Sequence, residues 1–153
     1  MTCSPIQPNL WVGPDPRDDE DFKNLQSLNI TAVLSLQDDE DRGDGGIESE
    51  RAAAARVGLA FESVPVKDFS NADLQLRLPK CVAALAHLLG QGHTVYVHCT
   101  AGVSRSPSVV AAYLHWCSGW DLDQALVHVM QCRRCYPIED AIRNARWPGS
   151  TGI

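Results

Sequence analysis

Four short runs rich in β-branched and aromatic residues, at 9–12, 31–36, 60–66 and 94–98, read as strands. Between and after them apolar residues recur three and four apart. Residues 18–28, 48–57, 74–89, 107–116, 121–132 and 138–146 therefore read as helices. Asp121 is a plausible N-cap for the segment it opens, and Asp73 reads as a cap for the run beginning at Leu74. Pro79 interrupts that run and marks either a kink or the true start of the helix. Strands alternate with helices throughout, with no repeat and no linker. The pattern predicts an α/β fold over residues 1–153 as a single domain, with a central, mostly parallel sheet and helices on both faces.

Composition narrows this without changing it. A chain of 153 residues has the length of about one domain and can bury roughly 70% of its unfolded surface, so no cofactor is needed to hold it together. No run is long and apolar enough to span a membrane, and the start Met1-Thr2-Cys3-Ser4-Pro5 lacks the form of a signal peptide. Thr2 and the ending Ser150-Thr151-Gly152-Ile153 match neither common lipidation signal. The expectation is a cytoplasmic monomer. A net charge of −6 argues against a nucleic-acid or anionic-membrane surface. Asp18-Asp19-Glu20-Asp21 suits the negative first turn of a helix. Asp38-Asp39-Glu40-Asp41 runs into Arg42-Gly43-Asp44-Gly45-Gly46 and reads as an exposed mobile loop. Basic residues cluster at Arg133-Arg134 and within 143–146. Of the six cysteines, Cys132 and Cys135 form one CxxC with no second pair, so free thiols in a reducing compartment are expected, and no metal.

The chemistry concentrates in His98-Cys99-Thr100-Ala101-Gly102-Val103-Ser104-Arg105-Ser106. A strand precedes this loop and a helix follows it, so backbone N–H groups and the positive end of a helix dipole meet at one spot, where an anion is favoured. A thiol is a weak nucleophile at its free pKa of about 8.5, but a helix N-terminus beside a cation favours the thiolate, and Cys99 is so placed. The amides of Thr100, Ala101, Gly102, Val103, Ser104 and Arg105 can form a nest for phosphate oxygens, Gly102 supplying a positive φ. Arg105 adds a planar fork that binds two of those oxygens at once. Ser106 is positioned to hydrogen-bond the sulfur and make it a better leaving group. His98 is expected to orient the loop, and Pro107 suits the first turn of the helix behind it. A thiolate nucleophile is also open to reversible oxidation.

These residues resemble the Cys-based protein tyrosine phosphatase superfamily, whose signature is HCxxGxxR followed by Ser or Thr, and within it the dual-specificity phosphatases. The resemblance implies two-step phosphomonoester hydrolysis through a phosphocysteine at Cys99, on phosphotyrosine, phosphoserine or phosphothreonine, without cofactor. It also implies a general acid on a loop upstream of the cysteine. Asp68, in Lys67-Asp68-Phe69-Ser70-Asn71, is the best match, with Asp73 behind it.

Asn9-Leu10-Trp11-Val12-Gly13, Leu36-Gln37-Asp38-Asp39-Glu40, Asp68-Phe69, Arg77-Leu78-Pro79 and the stretch from Cys135-Tyr136-Pro137 to Ala145 are similar to the plant starch-excess glucan phosphatases. That likeness makes Phe69 and Tyr136 a platform for a sugar chain, extended by Trp11 or Trp147, and a phosphoglucan an alternative substrate to phosphoprotein. Ser104 departs from it, since those enzymes usually carry Gly immediately before the catalytic Arg. An alternative of another class is a catalytically silent module that binds phosphorylated partners in the same cradle.

Overall fold

The computed structural model describes residues 1–43 and 45–148. Asp44 of the glycine-rich stretch, and the C-terminal residues weighed above for lipidation, lie outside the described residues. Strands β1 (Ser4–Gln7), β2 (Leu10–Gly13), β3 (Ala32–Ser35), β4 (Ala60–Ser63) and β5 (Val95–His98) form one sheet in the order β1-β2-β5-β3-β4. β1 runs antiparallel to β2, whereas the pairs β2·β5, β5·β3 and β3·β4 are parallel. β5 is therefore central and covered on both faces, which explains its unbroken Val-Tyr-Val run.

The helices are α1 (Asp19–Ser27), α2 (Asp39–Arg42), α3 (Gly46–Arg56), α4 (Asn71–Gly90), α5 (Arg105–Trp116), α6 (Leu122–Cys132) and α7 (Glu139–Asn144). Alternation along the strands sends Val33 and Tyr96 to one face, where Phe22 and Leu25 of α1 and Ala53 and Ala54 of α3 cover them. Leu34, Val95 and Val97 point the other way, into a larger core with Leu78 and Leu85 of α4, Val109 of α5 and Val129 of α6. The α/β fold with helices on both faces matches the pattern of the sequence.

Several local expectations are corrected. β1 was not visible as a strand, because Pro5 breaks its alternation; it lies at the sheet edge, where proline is tolerated. Residues 38–42 form a helical turn rather than a mobile loop, since Asp38 and Asp41 make a reciprocal capping box. Ser70 caps α4, while Asp73 sits inside the first turn and accepts from the Lys67 N–H at 2.8 Å. α5 begins at Arg105, so Pro107 is its third residue rather than its first. Asp18 and Asp121 cap α1 and α6 through their side chains.

Parallel pairing has one consequence for function. The carboxyl ends of β2, β3, β4 and β5 all lie on the same edge of the sheet, so the segments after Gly13, Ser35, Ser63 and His98 converge there.

α4 runs from Asn71 straight through Pro79, which is not its start. Proline has no N–H to offer the carbonyl four residues back, and its ring crowds that carbonyl. Pro79→Ala is expected to stabilise the fold by about 1–2 kcal/mol, raising Tm by about 3–6 °C in a thermal melt.

Candidate active site

The loop that follows β5 has every carbonyl from Cys99 to Ser104 captured by a donor. His98 Nδ1 lies 3.0 Å from Cys99 O, and the Asp15 N–H donates to Thr100 O at 3.0 Å. Arg133 donates from Nη2 to Ala101 O and from Nε to Gly102 O, at 3.0 and 2.8 Å. The Tyr136 N–H donates to Val103 O at 2.7 Å, and Ser108 donates to Ser104 O through both its N–H and its hydroxyl. In a trans peptide, C=O and the next N–H point in opposite directions. The N–H groups of Thr100 to Arg105 are thereby turned away from these donors and toward a common centre, the arrangement of an anion nest. Gly102 has φ +69°, and a Cβ there would come within 2.6 Å of the Gly13 carbonyl carbon, so this position admits only glycine without strain.

The side chains at this centre come from the converging segments. Cys99 is buried, with Sγ 3.2 Å from Ser106 Oγ. Arg105 is also buried, and both its terminal nitrogens meet the Asp41 carboxylate, at 2.9 and 3.2 Å. It donates as well to Val66 O and Thr100 Oγ1. Asp68 Oδ2 stands 3.4 Å from Arg105 Nη2, and its Oδ1 accepts from the Phe69 N–H. Thr100 Oγ1 donates to Asp41 and accepts from Gln37 Nε2, which also reaches Asp15.

Electrostatics bind this cluster together. Burial by itself would weaken the Arg105 charge, but its hydrogen bonds to Asp41 and the charges of Cys99, Asp41 and Asp68 outweigh it and raise the guanidinium above its ordinary pKa. Burial likewise pushes Asp41 upward, yet the hydrogen bonds from Arg105 and the Asp38 N-cap hold its carboxyl below the usual carboxylate range. Asp38, carrying the burial cost beside its acidic partner, is raised instead.

The structure brings Cys99, Arg105, Ser106, Asp68 and the cradle residues into one site, and it places His98 directly behind Cys99. Phe69 is 100% exposed and Tyr136 68% exposed, one beside Asp68 and the other beside the cradle. Trp147 stacks on Trp116 with ring centroids 5.2 Å apart. Trp11 lies half-buried in β2 against the smaller core. Arg133, read as part of a basic cluster, turns its guanidinium inward to the loop and also ties down Thr2 O and Ser4 Oγ. The cysteines are free thiols, and Cys132 Sγ faces His128 rather than a second pair.

Asp15, Gln37, Asp41, Arg42, Glu50 and Arg133 belong to the site but escaped the sequence reading. Two left a signal. The Asp38-x-x-Asp41 spacing is that of a capping box, and Glu50 stands on the same helical strip as Ala53 and Ala54, a charge in an apolar stripe.

Comparisons with known proteins fit this geometry. The profile of the family described as "Dual specificity phosphatase, catalytic domain" matches residues 10–141. The chain is 36% identical over 149 residues to the chloroplastic phosphoglucan phosphatase LSF1 of Arabidopsis thaliana, covering 96% of this chain and 25% of that protein. It is 34% identical over 160 residues to laforin of Mus musculus, covering 95% of this chain and 48% of laforin. The chain thus spans between a quarter and a half of the length of these relatives. The crystal structure of Tk-PTP in the active form shares the fold, with a TM-score of 0.76 at 19% identity over 92% of this chain and 91% of that one.

Because the Asp41 carboxyl is depressed in the folded state, it contributes stability above its unfolded pKa, a contribution lost as pH falls through the folded value. Asp41→Asn is expected to cost about 2–4 kcal/mol at pH 7, since it leaves a buried guanidinium undercompensated. The gap from wild type should narrow as pH drops below about 4, measured by urea unfolding across pH.

Proposed function

Since this chain belongs to the dual-specificity phosphatase family, we propose that it hydrolyses phosphomonoesters through a phosphocysteine at Cys99, acting on phosphotyrosine and on phosphoserine or phosphothreonine in proteins. The observation that carries the reading is the outward capture of six consecutive carbonyls, which turns the N–H groups between them to the opposite side of the loop as a ring of donors. Three phosphate oxygens suit that ring, and Arg105 adds a charge that follows them into the transition state.

In the first step the Cys99 sulfur attacks phosphorus as the bond to the leaving oxygen breaks, and Asp68 gives that oxygen its proton. In the second, water attacks the phosphocysteine, Asp68 takes a proton from it, and the sulfur departs as a thiolate that accepts a hydrogen bond from Ser106. Asp41 holds Arg105 in place between substrates. The reading carries with it one catalytic domain over residues 1–153, working as a cytoplasmic monomer without metal or cofactor. No helix among the described residues is long and apolar enough to cross a membrane.

A second substrate class is favoured by one observation. Phe69 is fully exposed and also has φ +59°, a left-handed conformation that is costly for a bulky residue. Folding gives no reason for such a placement, whereas a sugar ring stacked on its face does. Together with exposed Tyr136, and with phosphoglucan phosphatases among the relatives, this supports a phosphoglucan substrate handled by the same chemistry.

Cys99→Ser is expected to abolish hydrolysis of a small aryl phosphate by fresh, reduced protein. Asp68→Asn should lower kcat by about 10²–10³-fold on esters with poor leaving groups, and much less on activated ones. Inactivity of the wild type in the same assay would favour the silent binding module.

Rates on phosphotyrosyl and phosphoseryl peptides and on phosphorylated amylopectin rank the substrates. If the glucan reading holds, Phe69→Ala and Tyr136→Ala each lower activity on amylopectin by about tenfold or more while leaving the aryl phosphate rate unchanged.

A further inference from the structure

Glu50 lies within α3, forty-eight residues upstream of its partner, and its side chain is wholly buried. A carboxyl in that position must be held by other groups. Its Oε2 meets Nε2 of His98, itself fully buried. On the far side of the ring, Nδ1 lies 3.0 Å from the Cys99 carbonyl. A carbonyl only accepts, so Nδ1 carries a hydrogen. One further hydrogen is then held between Nε2 and Glu50, in either of two patterns: imidazolium against carboxylate, or neutral ring against carboxylic acid. Both keep the Nδ1–H in place.

Without Glu50 the Cys99 carbonyl still favours a hydrogen on Nδ1, but Nε2 is left buried without its partner and the ring loses the contact that anchors its far side. The ring is then free to tilt, and the first carbonyl of the cradle loses the alignment of its donor, at the residue that bears the nucleophile.

We propose that Glu50 is a positioning residue, which anchors the His98 ring through Nε2 so that its Nδ1–H stays aligned on the Cys99 carbonyl, and through it holds the backbone and sulfur of Cys99. The other oxygen of Glu50, Oε1, makes no hydrogen bond among the described residues but lies 3.4 Å from Arg42 Nη1, a charge contact, and the same nitrogen donates to Gln37 Oε1 at 3.0 Å. Gln37 in turn holds Thr100. The carboxyl that braces Cys99 is thus tied to the groups that brace the next residue of the loop. The proposal rests on the phosphatase reading for its kinetic consequence, and on hydrogen-bond geometry alone for its structural one.

The test combines kinetics with a spectroscopic readout. Glu50→Ala is expected to lower kcat on an aryl phosphate by about ten- to a hundredfold, with a smaller change in KM, as displacement of a nucleophile does. Glu50→Gln can donate from its amide to Nε2 of an Nδ1–H ring, so it should stay within about threefold of wild type. If Glu50 acts through His98, the double variant E50A/H98N is no slower than H98N alone. In nitrogen-15 NMR of histidine-labelled wild type and E50Q, His98 Nδ1 is expected to carry a hydrogen. An E50A variant within twofold of wild type overturns the proposal, as does an E50A effect that multiplies in the H98N background, or an Nδ1 without hydrogen. If E50A does not fold, the E50Q kinetics and the NMR spectra decide. Failure of the phosphatase reading is seen separately, as wild type no faster than C99S, and the NMR result then still settles the pairing.

Discussion

The constraint on which the site depends is that the carbonyls of residues 99–104 are all held by donors outside the loop's concave side. Each amide from Thr100 to Arg105 points the way it does because the carbonyl on the other side of its peptide plane is held elsewhere. The donors that hold them come from β2's exit, from the loop's own flanks, and from the region around α6 and α7. A nest of six amides is not a conformation the loop keeps alone. It is the shape left when those carbonyls have been satisfied.

Arg133 carries the largest share of this, because its planar fork meets two neighbouring carbonyls at once while its remaining nitrogen reaches the N-terminal segment. A lysine offers a point charge and no such geometry. The edge strand β1 thereby becomes part of the support for the loop, although it contributes nothing to the chemistry.

Around this frame the charges are nearly balanced. Arg105 faces Asp41 closely and Asp68 at a longer distance, so the buried cation is compensated before any substrate arrives. Asp41 is tied by a capping box, by Thr100 and by both nitrogens of Arg105, and is therefore fixed. Asp68 is more open, on a turn whose next residue has an unfavourable φ. One carboxylate holds the arginine closely, and the other stands farther off and more open to solvent.

The strand, loop and helix of residues 98–106 were legible because all of their information is local: a buried strand, a glycine needing positive φ, and a helix N-terminus in continuous order. The alternation of strands and helices likewise determined the α/β layering, and by resemblance the loop pointed to Asp68. Only the tertiary structure decided that Asp41 meets Arg105 across sixty-four residues, that Arg133 reaches back thirty-one to Gly102, and that Glu50 lies behind His98 across forty-eight. No local period encodes such pairs. They exist because four parallel strands end on one edge of the sheet, and because buried polar groups accept few positions in which all their hydrogen bonds are made.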